Sequence, residues 1–458
     1  MDTYFITGGR RLSGTVPVHG SKNSVLPILS AAILARGECV IHNCPDLSDV
    51  SATGDILKSL GCTLRRQGTT VMVDASALGD CAVPDFLMQR LRSSVLFLGA
   101  LLARHGEAAL CFPGGCELGP RPIDLHLKAL SRLGANVMVE EGRLLCQRGK
   151  LSGSVISLPF PSVGATENAM LAACGAEGTT VICNAAREPE IVDLQRFLRA
   201  MGAEVRGAGG SAIVIEGGRP LHACEYTVMS DRIVAATYLS AVAAAGGEAE
   251  LLGADCRTLG PVSAALTEAG CEIRSEKDKI WIKSEGCLRG IRPVYTAPYP
   301  GFPTDAQPML MAALCGGTGD TLFVENIFAG RYSHVPSLQA MGADIALDGR
   351  QAEVRGTGGL HGTSVEARDL RGGAALVVAA LGAQGDSVIS GLSYMDRGYD
   401  GLDLALRSMG AHMTRKTQPK TDAPEYGDAN GMRLWQEDGQ KPNIADEAGS
   451  ACSISCCL

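Results

Sequence analysis

Aromatic residues are scarce in this sequence: two tryptophans, nine tyrosines and nine phenylalanines in 458 residues. No run approaches the ~20 consecutive apolar residues that a membrane-spanning helix requires. The opening stretch MDTYFITGGRRLSGTVPVHG also lacks an apolar core of signal-peptide length. There are 17 cysteines, an odd number, yet no Cys-x-x-Cys pair. Neither a disulfide framework nor a structural zinc site is therefore expected. Excess positive charge is missing too. The formal net charge of −8 leaves no footprint for nucleic acid or anionic lipid. These absences predict a reduced, cytoplasmic protein with no metal or organic cofactor, no nucleic-acid partner and no membrane span. An anionic ligand would need a positive field made locally by its own site.

Glycine, by contrast, is abundant at 57 residues, and it is periodic. A Leu/Met/Ala-Gly-Ala/Cys ending recurs at SLGC, RLGA, AMGA, EAGC, AMGA and SMGA, with glycines at 61, 134, 202, 270, 342 and 410. A second marker, a turn glycine followed by an extended run, recurs at Gly37, Gly106, Gly178, Gly247, Gly319 and Gly385. Both keep a spacing near 70 residues, the signature of an internal repeat. Each unit reads as a small-residue helix, a glycine stop, a short strand, a second helix ending at Gly-Ala, and further strands. SKNSVLPILSAAILA and TDAQPMLMAALC are apolar around most of their circumference, so they should be buried on all sides. Helices inside and sheets outside follow, an α/β architecture.

At this length two domains are expected, hence three units in each. The first should span 21–229. The second should take 230–416 together with 1–20, a segment too short to be a unit and expected to pair with the far domain. The chain would cross twice between domains and form a hinge there. From Thr417 onward the pattern stops, and three basic residues face seven acidic ones, half of the net charge. The stretch 417–458 reads as a disordered acidic tail.

If the units were scaffolding alone, equivalent positions should match. At the start of the buried helix they do not: Ser21-Lys22-Asn23, Arg92-Ser93-Ser94, Ser162-Val163-Gly164, Asp231-Arg232, Thr304-Asp305 and Asp369-Leu370-Arg371. Ser21, Ser162 and Thr304 could be plain N-caps. Four cations at helix starts oppose the helix dipole, however, and call for something anionic nearby.

One cysteine stands apart. In PGGCELGPRP, Cys116 rides in a glycine-proline loop with Arg121 five residues on. A neighbouring cation lowers a thiol pKa, while Glu117 opposes it. With GSKNSVLPIL, LRSSVLFLGALLARHG, FPGGCELGPRPIDLHL, PSVGATENAM, NAAREPEIVDL, APYPGFPTDAQ, GRYSHVP, ARDLRGG and MDRGYDGLDLAL in order over residues 4 to about 415, the chain resembles the UDP-N-acetylglucosamine 1-carboxyvinyltransferase family. These are enolpyruvyl transferases that open peptidoglycan precursor synthesis.

The resemblance implies an EPSP synthase-like fold, a two-domain inside-out α/β barrel of six units. It implies phosphoenolpyruvate and UDP-N-acetylglucosamine as small-molecule substrates. Cys116 looks like the general acid toward phosphoenolpyruvate, the residue that the epoxide phosphonate fosfomycin alkylates. Asp305 looks like the base for the sugar 3-hydroxyl. Lys22, Arg121 and Arg397 match the cations that hold phosphoenolpyruvate. Asn23, Arg92, Pro122, Ile123, Asp124, Leu125, Ser162, Val163, Gly164 and Ile327, with Arg121 and Asp305, match the nucleotide-sugar site. Arg371 matches a further cation near the cleft. Phe160-Pro161 stands where some relatives carry a lysine, Gly372-Gly373 weakens one helix start, and the tail extends past the usual end. Two other readings stay open on the residues: the sister enzyme acting on shikimate 3-phosphate, and a catalytically silent paralogue that binds nucleotide-sugar.

Overall fold

Helix-ending glycines set the rhythm of the fold. Gly61, Gly134, Gly202, Gly270, Gly342 and Gly410 all lie at φ between 91° and 113°, where a Cβ is costly and glycine is not. Each follows an outer helix: Ser48–Ser59, Asp124–Arg132, Pro189–Ala200, Gly260–Glu268, Val335–Ala340 and Leu402–Ser408. The six turn glycines have positive φ as well, so both sequence markers record backbone geometry. This computed structural model describes residues 2–114, 122–140, 142–149 and 151–417. Cys116, Arg121 and the tail from residue 418 lie outside the described residues.

Inside the shell of outer helices and sheets run six inner helices: Lys22–Ala31, Phe97–Arg104, Val163–Cys174, Arg232–Ala245, Gln307–Cys315 and Leu370–Gly382. Every residue of Gln307–Cys315 is buried, as its all-round apolar sequence requires. Small residues let these helices approach closely. A Cβ on Gly99 would stand 2.3 Å from Asn168 Oδ1, and that oxygen accepts the Gly99 N–H at 2.6 Å. The fully buried Asn168 spends its amide nitrogen on the Val95 carbonyl at 3.0 Å, which leaves no polar group stranded between the two helices.

Among the described residues the strands form five four-stranded sheets and one of three strands, and none closes on itself. The expected inside-out barrels are therefore built from separate open sheets rather than from a continuous wall. The units share one pairing pattern. Glu225–Thr227 runs parallel to Glu38–His42, which pairs antiparallel with Thr70–Asp74, which in turn pairs with Thr63–Gln67. In the three-stranded sheet, a single parallel bridge from Ala82 to Ala109 stands where the others have a strand.

The N-terminal segment fills two places in this pattern. Asp2–Thr7 inserts between Asp386–Ser390 and His412–Thr417, antiparallel to both. Leu12–Pro17 lies parallel to Gly247–Leu252. Two apolar cores result. One is built from Val25 through Val228, the other from Tyr4 to Val18 together with Ile233 through Met413. Burying each large aliphatic side chain contributes about 1.5–3 kcal/mol. The chain passes between the cores at two adjacent points: Ser21 N donates to Met229 O at 2.7 Å and Asp231 N to His19 O at 2.8 Å. No helix among the described residues is long and apolar enough to cross a membrane.

Candidate active site

All six inner-helix starts reach one cleft of about 890 Å³. The first core contributes Lys22, Asn23, Arg92, Ser162, Val163 and Gly164, and the second contributes Arg232, Asp305 and Arg371. The capping chemistry is uneven. Ser162 Oγ accepts from Ala165 N at 3.4 Å, whereas Ser21 makes no capping bond. Thr304 and Asp305 sit ahead of their helix, whose N-cap is Ala306. Asp231 does double duty: one oxygen accepts from Ile233 N and Val234 N, the other from Lys22 N at 2.9 Å. The start of the first inner helix is thus held by a carboxylate from across the crossing.

The cations at helix starts are answered by carboxylates of the protein. Lys22 Nζ lies 2.8 Å from Asp49 Oδ2, and Arg397 Nε lies 2.9 Å from Asp49 Oδ1. Burial lowers the Lys22 pKa, against the pull of Asp49. Burial would raise the Asp49 carboxyl, but Lys22 and Arg397 outweigh it and hold it below the usual range. Arg232 Nε pairs with Glu190 Oε1 at 2.9 Å, both nearly closed to solvent.

Asp305 is the most heavily paired acid. Arg331 meets Oδ1 at 2.8 Å and Arg371 meets Oδ2 at 3.1 Å. Its side chain keeps 27% exposure toward the cleft, while those of Arg331 and Arg371 keep 1% and 3%. Partial burial raises the carboxyl pKa; the two guanidiniums overcome that and hold it well below the carboxylate range. Asp305 is therefore an anion at neutral pH, supported from behind and open in front. Arg331 also donates to Thr304 Oγ1 at 3.0 Å, and that hydroxyl donates to Glu325 Oε2 at 3.0 Å. Arg371 stacks 5.5 Å above the Tyr399 ring, a geometry suited to a buried guanidinium.

A second acidic group lines the same cleft. Burial, reinforced by Glu190 and Glu188, pushes Glu167 well above the ordinary carboxyl range. Glu188 is raised too, again mainly by burial, and it accepts the Tyr299 N–H at 3.2 Å. Asp49–Arg397, Glu190–Arg232 and Glu188–Tyr299 each join the two halves of the chain at the cleft.

Of the residues singled out from the sequence, Lys22, Asn23, Arg92, Pro122, Leu125, Ser162, Val163, Gly164, Asp305, Ile327, Arg371 and Arg397 all line the cleft. Ile123 is instead buried in the first core, and Asp124 pairs with Lys128 at the surface at 3.2 Å. Cys116 and Arg121 fall outside the described residues. Asp369, at the sixth helix start, lines the cleft as well, and so do Asp49, Glu188 and Glu190, which were not singled out for it. Arg331, within the stretch GRYSHVP, was also passed over, although an arginine there was visible.

The fold and cleft have counterparts. The family model for EPSP synthase (3-phosphoshikimate 1-carboxyvinyltransferase) matches residues 6–404. The chain belongs to the EPSP synthase family. Within that family, UDP-N-acetylglucosamine 1-carboxyvinyltransferase 2 of Caldanaerobacter subterraneus subsp. tengcongensis is 48% identical over 91% of this chain and 100% of its own length. The UDP-N-acetylglucosamine 1-carboxyvinyltransferase of Nitratidesulfovibrio vulgaris strain DP4 is 46% identical over the same shares. Among solved structures, the enolpyruvyl transferase NikO from Streptomyces tendae superposes with a TM-score of 0.83 at 27% identity, covering 91% of this chain and 99% of that one. An EPSP synthase from Acinetobacter baumannii, at 21% identity and a TM-score of 0.72 over 91% of this chain and 100% of that one, shares the fold.

Proposed function

We propose that this family member transfers the enolpyruvyl group of phosphoenolpyruvate to the 3-hydroxyl of UDP-N-acetylglucosamine and releases phosphate. The observation that carries the reading is Asp305: a carboxylate kept ionised by two buried arginines, partly open to a cleft that also holds Lys22 and Arg397. The 48% and 46% identities to enzymes named for that reaction support the choice of acceptor.

In this reading the core spanning 21–229 and the core of 1–20 with 230–416 act as two lobes that close on the substrates. Asp305 accepts the proton of the sugar hydroxyl as its oxygen bonds to C2 of phosphoenolpyruvate. A proton is added at C3, for which Cys116 is the candidate donor. The C2–O bond to phosphate then breaks, C3 gives up a proton, and the double bond re-forms. Lys22, Arg121 and Arg397 take the phosphate charge throughout. Closing the lobes excludes water and strengthens each of these charge interactions. Asn23, Arg92 and the Ser162–Gly164 helix start are assigned to the nucleotide-sugar, with Ile327 and Arg371 beside them.

Incubating the protein with phosphoenolpyruvate and either acceptor, then measuring phosphate release, tests the assignment. Release is expected with UDP-N-acetylglucosamine. Release with shikimate 3-phosphate alone would transfer the protein to its sister activity, and release with neither would make it a binding paralogue.

A further inference from the structure

Away from the cleft, two thiols face each other across neighbouring strands. In the parallel pair of Glu38–His42 and Glu225–Thr227, Glu225 lies opposite Val40, and Val40 N donates to the Cys224 carbonyl at 2.9 Å. That register sets Cys224 opposite Cys39. Side chains alternate along a strand, and here the alternation points both sulfurs inward. Cys39 and Ile41 are fully buried in the first core, and Cys224 and Tyr226 pack half-buried against it. Adjacent strands lie about 4.8 Å apart, within the roughly 4.4–6.8 Å between Cα atoms that a disulfide spans. Both cysteines are free thiols in this structure.

We infer that Cys39 and Cys224 form an oxidative modification site, a thiol pair that a peroxide converts to an intramolecular disulfide. Cys224 is the sulfur that solvent reaches. Peroxide entering there oxidises one sulfur of the pair to the sulfenic acid, and its second oxygen leaves as water. The other sulfur then attacks the sulfenic sulfur, the S–O bond breaks, and a second water departs with the proton of the attacking thiol. Two thiols and one peroxide thus become one disulfide and two waters.

The two thiols perturb each other. The neighbouring Cys224 holds the Cys39 pKa down to about 7 despite burial, while Cys39 and burial push that of Cys224 up. Cys39 is therefore the readier nucleophile of the two, and Cys224 the more accessible. The inert core thiols behave differently: burial pushes Cys146 up to about 11 and Cys174 up to about 12.

The location gives the bond a consequence. Glu225–Thr227 runs straight into the crossing at 229–231, and Val228 N is held by His42 O at 3.1 Å. A Cys39–Cys224 link would pin covalently the strand that feeds one of the two passages between the cores. Neither cysteine is a lining residue of the cleft.

The experiment treats the full chain with hydrogen peroxide, blocks remaining thiols with a maleimide after denaturation, and maps peptides by mass spectrometry without reduction. The expected product is a Cys39–Cys224 linked peptide pair, lighter by two hydrogen atoms and cleaved by dithiothreitol. In Cys224→Ser that pair is absent and Cys39 is recovered blocked. Thermal unfolding supplies a second readout: peroxide raises the Tm of the wild-type chain but not that of Cys224→Ser, whose untreated Tm matches the wild type. Recovery of Cys39 and Cys224 as free thiols while other cysteines oxidise would overturn the inference. So would an equal peroxide-induced rise in Tm in the variant.

Discussion

Asp49 of the first core and Arg397 of the second meet at 2.9 Å across the cleft, and the same carboxylate holds Lys22 at 2.8 Å. One acid thus sits between two of the cations assigned to phosphate. It fixes their positions and opposes the burial that lowers the Lys22 pKa, so its removal should be felt in substrate affinity and in the pH profile together.

Asp49→Asn is expected to raise the KM for phosphoenolpyruvate about tenfold, the loss of one charge-assisted contact. Lys22 already has a pKa lowered by burial and sustained by Asp49. Without that partner it should lose its proton at lower pH, and the alkaline limb of kcat/KM should move to lower pH. Steady-state kinetics across pH checks both; an unmoved alkaline limb would mean that Asp49 is merely structural.

Asp305→Asn should lower kcat by roughly 10²–10⁴, the usual contribution of a positioned base, while UDP-N-acetylglucosamine still binds by calorimetry. A stability signature should accompany the kinetic one. Arg371 and Arg331 hold the folded-state pKa of Asp305 below its unfolded value near 3.9. Its contribution is therefore fully present above pH ~4 and lost as pH falls further. The gap in urea midpoint between wild type and Asp305→Asn should narrow below that pH.

The Glu190–Arg232 pair is closed to solvent at both ends. Breaking it from one side leaves a buried charge, so Glu190→Gln should cost about 3 kcal/mol in urea unfolding. Replacing both partners, Glu190→Leu with Arg232→Met, should recover most of that loss, because two apolar groups need no ion pair. Equal destabilisation in the single and double variants would show that the pair's value lies elsewhere.

Cys116 carries the acid role in the proposed reaction. Cys116→Ser should lose most turnover, whereas Cys116→Asp should retain part of it, since a carboxylic acid can also donate a proton. Fosfomycin should inactivate the wild-type chain and leave its added mass on the peptide containing Cys116. Mass on another cysteine, or full activity in Cys116→Ser, would reassign the acid.

Much of the fold was legible because glycine is forced where φ is positive. The markers at Gly61 through Gly410 record six equivalent caps, and the all-round apolar runs between them had to be inner helices. The cleft was legible in part for a related reason. Lys22, Arg92 and Arg371 are placed where a cation opposes the helix dipole, and that conflict marks them. Asp49, Glu190 and Arg331 carried no such signal. Asp49 occupies an ordinary first turn of an outer helix, where an acid is favourable in any protein, and only tertiary packing brings it to Lys22. Asp305 was legible as the base that the resemblance implies, but the helix start read at Thr304-Asp305 lies further on, because Pro308 and the turn at 304–306 put the N-cap at Ala306. The Cys39–Cys224 pairing depends on a parallel register between strands nearly two hundred residues apart, which local pattern cannot encode.

The central claim is that the partly exposed face of Asp305, in the cleft between the two cores, receives the sugar hydroxyl. A crystal structure of the protein with UDP-N-acetylglucosamine bound measures this directly. The account predicts the 3-hydroxyl oxygen within hydrogen-bond reach of the Asp305 carboxylate, about 2.6–3.2 Å, with the nucleotide running toward Arg92 and Ser162. A sugar held elsewhere in the cleft, with its 3-hydroxyl out of reach of Asp305, would contradict it.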